Sequence, residues 1–227
     1  MSMRQVDDTG AVIVAAGSGT RFGKATPKQF LPLCRRPVYE WSVRAFRNAG
    51  VGHIVVVVPE KYLSRLKNRH AGDGVLFVAG GKERFHSVQA GIALLPSVVT
   101  IVAIHDGARP LIDPSLIIES IAAARKYGAA VVAVQSRDTV KLSRTGVRVQ
   151  RTIARENVWL AQTPQTFRRE VIEKAYLTID PSGITDDAQA VELAGHCVAI
   201  VEGNYRNIKI THPLDLSLAT VLIRGNN

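Results

Sequence analysis

Apolar residues fall along this chain in two alternating rhythms. Continuous apolar runs at residues 11–15, 54–58, 75–78, 101–104 and 130–134 have the length and β-branched content of buried strands. Between them, apolar positions recur three or four apart, the period of a helix with one buried face. After Pro37 come Val38, Trp41, Ala45, Phe46 and Ala49 at that spacing, with Gly50 as a C-terminal stop. Residues 84–95 place Phe85, Val88, Ile92 and Leu95 on one face. Residues 115–127 are read with Ile117, Ile118, Ile121 and Ala124 inward. Strand and helix in repeated alternation predict an α/β fold, a mostly parallel sheet with helices on both faces.

The rhythm breaks after Gln135. Residues 138–153, "DTVKLSRTGVRVQRTI", carry two short runs of partial alternation around Arg144-Thr145-Gly146, a turn signal. They predict an inserted β-hairpin, an arm at about 137–157. It is rich in Lys and Arg and too poor in large apolar side chains to bury much alone. A partner subunit is the economical surface for it to pack on. No long linker, repeat or low-complexity segment interrupts residues 1–227, which read as a single domain.

Composition narrows the setting. No apolar run approaches a membrane span, and the first ten residues, "MSMRQVDDTG", lack the apolar centre of a signal peptide. The two cysteines, Cys34 and Cys197, form neither a zinc spacing nor a disulfide framework. Together these point to the cytoplasm. The net charge of +10 admits two readings, a nucleic-acid surface or a pocket for anionic small molecules. Basic residues are spread along the chain and aromatics make up only 6 %, so no stretch interleaves cations with stacking rings.

In an open parallel sheet, ligands bind beyond the carboxyl ends of the strands, and the candidate chemistry lies in those loops. The first reads "AVIVAAGSGTRFGKATPKQF", residues 11–30. It fails the dinucleotide fingerprint because Phe22 stands where the third glycine belongs. It fails the P-loop because Ser18 replaces the first glycine and Ala25 follows Lys24. What remains is a flexible glycine loop carrying Arg21, Lys24 and Lys28, suited to a polyphosphate held by side chains and backbone N–H groups.

The loop "GGKERFHSVQAG", residues 80–91, pairs glycines for close backbone approach with Arg84 and Ser87 at a helix start that favours an anion. An ordinary tight turn suits the same residues. In "IHDGARP", residues 104–110, Asp106 at a strand end is a candidate for a divalent cation and Arg109 for an anion; an Asp–Arg turn pair is the simpler alternative. His105 reads as a positioned polar side chain, and the histidine spacing excludes zinc. Thr185-Asp186-Asp187 suits a helix cap. Lys209, inside the strand-like run 208–210, is either a surface lysine or one aimed into the cleft. There is no nucleophile elbow, no catalytic cysteine context and no paired glycosidase carboxylates. Cations, glycines and small hydroxyls at strand ends suit phosphoryl or nucleotidyl transfer, where positioning and charge neutralisation dominate.

The stretches "AAGSGTRFG…PKQF", "GGKERFHSVQAG", "IHDGARP", "RDTVK", "QTPQTF", "ITDDAQAVE" and "NIKIT", in that order from Ala11 to about Ala219, resemble the 2-C-methyl-D-erythritol 4-phosphate cytidylyltransferase family. The resemblance implies a Rossmann-like core, a homodimer built through the arms, and the use of CTP and Mg²⁺. By that resemblance, Arg21 and Lys28 would stabilise charge at the α-phosphate, and Ala15, Ala16 and Gly17 would approach the nucleotide by their backbones. Gly81, Arg84 and Ser87 would bind the cytidine side, and Asp106 would sit by the phosphates and metal. Arg109, Thr185 and Lys209 would hold the sugar phosphate. Thr139 and Arg155, on or beside the arm, would help position it across the dimer interface. Two departures from the family pattern stand out. Lys82 occupies an Asp position, which bears on selection of CTP over UTP, and Gly107 replaces Ala. Two rivals remain: the same chemistry on ribitol 5-phosphate, and a basic nucleic-acid-binding protein.

Overall fold

The structure, a computed structural model, describes residues 6–17, 26–180 and 183–225. Arg21 and Lys24 lie outside the described residues. The chain begins with β1 (Val6–Val14), the short antiparallel pair β2 (Pro32–Leu33) and β3 (Arg36–Pro37), α1 (Val38–Asn48), β4 (Val51–Val58), α2 (Glu60–Arg69) and β5 (Val75–Ala79). It continues with α3 (Arg84–Ala93), β6 (Ile101–Asp106), α4 (Pro114–Tyr127), β7 (Ala129–Gln135), β8 (Val140–Leu142) and β9 (Arg151–Ile153). The last elements are β10 (Trp159–Arg168), α5 (Arg169–Thr178), α6 (Asp187–Leu193), β11 (Ala199–Glu202) and α7 (Pro213–Arg224).

Alternation in the central strand sets the layers. Ala11 and Ile13 of β1 pack on one face with Tyr39, Val43 and Phe46 of α1 and Ile117, Ile121 and Ala124 of α4. Val12 packs on the other with Val88 and Ile92 of α3 and Ile172 of α5. A strand covered on both faces needs apolar side chains at every position, which is why it reads as a continuous run. Phe46 is fully inaccessible; truncating it to Ala would cost roughly 3–5 kcal/mol by loss of transfer energy and a cavity.

Among the described residues, seven strands form one sheet in the order β11-β7-β10-β6-β1-β4-β5. Neighbours are parallel except β10, which runs antiparallel to both β6 and β7. The expected mostly parallel sheet with helices on both faces is therefore present. The chain moves outward from β1 to β4 and β5, then returns to place β6 on the other side of β1. That reversal opens a crevice at the carboxyl ends of β1 and β6.

Local signals account for the helix ends. Asp113 caps α4 by accepting the Ser115 N–H at 2.9 Å, Pro114 follows at the first turn, and Gly128 ends the helix at φ +91°. Gly50 takes φ +82° after α1, as its stop signal requires. The arm is a hairpin, β8 pairing antiparallel with β9, and Val147 and Val149 near its tip are exposed.

Two readings need correction. Ile118 is exposed, because the buried face of α4 runs through Leu116, Ile117, Ile121 and Ala124, and position 118 lies one step round the helix from it. Residues 208–210 form no strand; Ile210 N–H donates instead to Ala108 O at 2.8 Å, fastening this segment to the loop after β6. Helix α7 then closes over it, through Ala219 packed with Leu31, Leu33, Val38 and Ile210.

Candidate active site

Asp106 is the last residue of β6 and its side chain is nearly inaccessible. Lys209 Nζ lies 2.7 Å from its Oδ2, Arg109 Nε 3.7 Å from the same oxygen, and Arg84 Nη2 3.5 Å from Oδ1. Burial pushes the carboxyl up, but the charges of Lys209, Arg84 and Arg109 outweigh it and hold the group well below the usual carboxylate range. One anion thus gathers cations from three parts of the chain to the crevice end of β6. Arg109 itself is drawn down by burial against the opposing pull of Asp106.

The loop that presents Asp106 and Arg109 is held from beneath by His105. The ring is fully buried, which lowers its pKa to about 4 and keeps it neutral. Nε2 lies 3.0 Å from Arg109 O and Nδ1 3.0 Å from Thr163 Oγ1. A carbonyl can only accept, so Nε2 carries the proton and Thr163 donates to Nδ1. Thr163 in turn accepts the Asp106 N–H at 3.0 Å. Arg109 Nη1 donates to Asn207 O at 2.7 Å, and buried Asn207 donates to Gln162 Oε1 and Thr163 O at 3.0 and 2.9 Å. Two buried polar atoms here, Arg109 Nε and Asn207 Oδ1, have no hydrogen-bond partner among the described residues.

The nucleotide-side loops begin at neighbouring strands. Buried Gln29 donates from Nε2 to both Ala15 O (2.6 Å) and Gly17 O (2.7 Å), fixing the start of the glycine loop. Ala15 N–H donates to Val57 O at 2.8 Å. Lys28 opens the short turn 28–30 that carries Gln29 and is half-buried. After β5, a Cβ on Gly80 would lie 2.3 Å from Ala16 Cβ, so the loop backbone at residue 80 can lie against the Ala16 methyl only because residue 80 is glycine. Gly81 N–H donates to Ser87 Oγ at 3.1 Å, and Ser87 donates to Glu83 O at 3.2 Å. Lys82 is exposed on the same loop. Gly107 also sits close to the first loop, its missing Cβ 3.1 Å from Ala15 Cβ.

Thr185 stands at the entrance of α6, donating from N–H and Oγ1 to Gln189 Oε1 at 2.8 and 3.0 Å. Asp186 is the cap expected of that motif, accepting the Gln189 N–H at 2.9 Å. Asp187 turns inward, is buried, and pairs with Arg84 Nη1. The fold therefore brings Ala15, Gly81, Arg84, Ser87, Asp106, Arg109 and Lys209 to one edge of the sheet, with Ala16, Gly17, Lys28 and Thr185 on its rim loops.

Thr139 and Arg155 stand apart. Thr139 is exposed just before β8. Arg155 Nη1 donates to Arg137 O at 2.9 Å and lines a cleft of about 400 Å³ at the arm root with Ser136, Arg137, Glu202 and Tyr205. No described hydrogen bond or ion pair joins either to the Asp106 cluster. Gln29, Gln162, Thr163 and Asn207 are the supporting residues that motif reading did not single out, and Asp187, read there only as part of a helix cap, is instead the buried partner of Arg84. Thr163 and Gln162 lay within "QTPQTF", whose polarity on a buried strand was the available signal.

Among the described residues, no group of three or more His, Cys, Asp or Glu side chains converges as a metal site. Asp106 offers a carboxylate already shared among three cations. A single carboxylate is no cage for a divalent cation, so a Mg²⁺ here would have to be held chiefly by the oxygens of a bound polyphosphate.

Glycine loops and a cation cluster around one carboxylate, at the switch point of a Rossmann-like sheet, suit nucleotidyl transfer, and a family match makes the class that of the nucleotidyltransferases. The sequence matches the profile of 2-C-methyl-D-erythritol 4-phosphate cytidylyltransferase over residues 9–225, and the chain belongs to that family. It is 44% identical over 223 residues to the 2-C-methyl-D-erythritol 4-phosphate cytidylyltransferase of Syntrophotalea carbinolica, covering 93% of this chain and 94% of the relative. It is 42% identical to that of Pelotomaculum thermopropionicum, covering 97% and 96%. The crystal structure of 4-diphosphocytidyl-2C-methyl-D-erythritol synthase from Anaerococcus prevotii superposes with a TM-score of 0.82 at 30% identity, over 95% of this chain and 98% of that one. The crystal structure of 2-C-methyl-D-erythritol 4-phosphate cytidylyltransferase from Thermus thermophilus superposes at 0.76 with 32% identity, over 94% and 98%.

Proposed function

We propose that the chain transfers a cytidylyl group from CTP to 2-C-methyl-D-erythritol 4-phosphate, releasing pyrophosphate, a step of non-mevalonate isoprenoid synthesis. The observation that carries this reading is the cluster of Arg84, Arg109 and Lys209 around Asp106 in a chain of this family. The relatives compared carry methylerythritol phosphate in their names, which favours that acceptor over ribitol 5-phosphate.

The reaction is one in-line displacement. A phosphate oxygen of the acceptor attacks the α-phosphorus of CTP, and the bond to the pyrophosphate oxygen breaks; no covalent enzyme intermediate forms. Two polyanions must meet, so cations on several sides do most of the work. Lys28 and Arg21 offset charge on the triphosphate and the pentacoordinate state. Arg109, Lys209 and Thr185 hold the acceptor phosphate, and Arg84 faces the nucleotide. Backbone at Ala15, Ala16, Gly17 and Gly81 lets the nucleotide approach closely, and Ser87 orients Gly81. A bound Mg²⁺, touched by Asp106, would neutralise triphosphate oxygens and aid the leaving group. Thr139 and Arg155 reach the acceptor of a second subunit through the arm, making a homodimer the working unit. Pyrophosphate release with CTP and methylerythritol phosphate tests the reading. Activity only with ribitol 5-phosphate, assayed alongside, would overturn the acceptor.

A further inference from the structure

Tyr176 and Asp187 are buried polar groups that the proposed chemistry leaves unused. Tyr176 on α5 is 8% exposed and Asp187 on α6 2%. The Tyr176 hydroxyl donates to Asp187 Oδ1 at 2.5 Å, while Oδ2 of the same carboxylate pairs with Arg84 Nη1. The second amino group of Arg84 is left 3.5 Å from Asp106 Oδ1. A line of charge and hydrogen bonds therefore runs from α5 through α6 and α3 to the carboxyl end of β6.

Arg84 is claimed by two carboxylates. A guanidinium facing a carboxylate with both oxygens free closes on it bidentately. The Tyr176 hydroxyl fills one lone-pair site of Oδ1 and approaches it from the side of α5, and Arg84 meets this carboxylate through Oδ2. Burial and the charge of Asp187 hold the phenol well above its usual range. The hydroxyl therefore stays protonated and donating throughout the working pH range. The ring has a separate task, filling space on the helical face beside Phe85, whose centroid is 6.4 Å away.

We infer that Tyr176 is a positioning residue for nucleotide binding: by holding Oδ1 of Asp187, it keeps Arg84 shared between Asp187 and Asp106 instead of closed onto Asp187. The inference rests on the reading of Arg84 as a nucleotide-side residue.

Tyr176→Phe keeps the ring and removes the hydroxyl. Calorimetric titration with CTP and Mg²⁺ should show affinity weakened on the order of fivefold, the size of an ordinary hydrogen bond lost at one remove from the ligand. The KM for CTP should rise in parallel, with kcat and the acceptor KM within about twofold. In an Arg84→Lys background, where a single ammonium cannot bridge both carboxylates, removing the hydroxyl should change CTP affinity less than about 1.5-fold. Asp187→Asn keeps the shape and removes the ion pair, and should weaken CTP at least as much as Tyr176→Phe; it carries the test if Tyr176→Phe fails to fold. Wild-type affinity in Tyr176→Phe or in Asp187→Asn, or an equal loss in both Arg84 backgrounds, overturns the inference while the functional reading stands. A wild-type protein that does not bind CTP overturns both.

Discussion

Lys209 and Asp106 form an ion pair of 2.7 Å between the loop before α7 and the end of β6. It is the shortest of the contacts that Asp106 makes with its three cations. It also fixes a loop whose sequence looked like a strand. Because Asp106 is held below the ordinary carboxylate range, its contribution to stability is complete above about pH 4 and is lost only as pH falls towards its folded value. Lys209→Met removes the largest opposing charge and lets burial raise the carboxyl. The loss of stability below about pH 4 that Asp106 contributes should then be smaller, because the folded carboxyl takes up its proton nearer the unfolded value. Urea midpoints from pH 3 to 7 check this, and coincident acid limbs in the two proteins would count against it.

His105 also loses stability towards acid, but over a higher pH window. Its folded pKa lies at about 4 against a reference of 6.5, so below that reference the unfolded chain binds a proton that the fold refuses. Stability from this group is full above about pH 6.5 and declines by roughly 3 kcal/mol on the way to pH 4. In His105→Gln that slope should be missing, whatever the variant's absolute stability. Unfolding free energies at half-unit steps of pH decide the matter.

Lys28 is a test of chemistry without folding. Lys28→Ala should lower kcat by on the order of 10²–10³, as for removal of a transition-state donor. The melting temperature should stay close to wild type. A loss under about threefold in pyrophosphate release would remove Lys28 from its assigned role.

Gly80→Ala probes the contact of the first two loops. Its added Cβ would meet Ala16 Cβ at 2.3 Å and Ser87 Oγ at 2.9 Å. One loop must retreat, at a cost of about 1–3 kcal/mol for overpacking. CTP affinity should fall with stability, because the displaced backbone is the one proposed to face the nucleotide. A thermal shift series with and without CTP measures both.

Arg155 should act in the site of another subunit. Mixed dimers of Arg155→Ala and Lys28→Ala chains then contain one site with both residues intact, and should recover up to about half of the wild-type activity per dimer, as one site of two. Verified mixed dimers with no recovery would place Arg155 in its own subunit's site.

The sequence was most readable where packing alone decides. Runs such as 54–58 are apolar because both sheet faces are covered, and the cap at Asp186 is written in its residue type. It was least readable at β10. Gln162, Thr163, Gln165 and Thr166 are all buried there, so neither alternation nor hydropathy marks a strand. Each is satisfied by a partner distant in sequence: Asn207, His105, Asp186 and Ser120 respectively. A polar strand is legible only after those partners are placed. The same holds for Tyr176, whose residue type suits a core and whose hydroxyl acquires meaning only beside Asp187. Arg155 and Thr139 were named by resemblance to a family, since nothing in their local spacing separates them from other residues of a basic arm.

The reversed direction of β10 has a structural consequence. Gln135 at the end of β7 and Trp159 at the start of β10 are paired neighbours, and Ser136 N–H closes on Val158 O at 2.9 Å. The intervening chain is thus stitched shut at its root, leaving and rejoining the sheet at the same point. Such a piece behaves as a cassette. Its tip, beyond Thr139 and Arg155, can be lengthened or trimmed without shifting the register of β7 against β10.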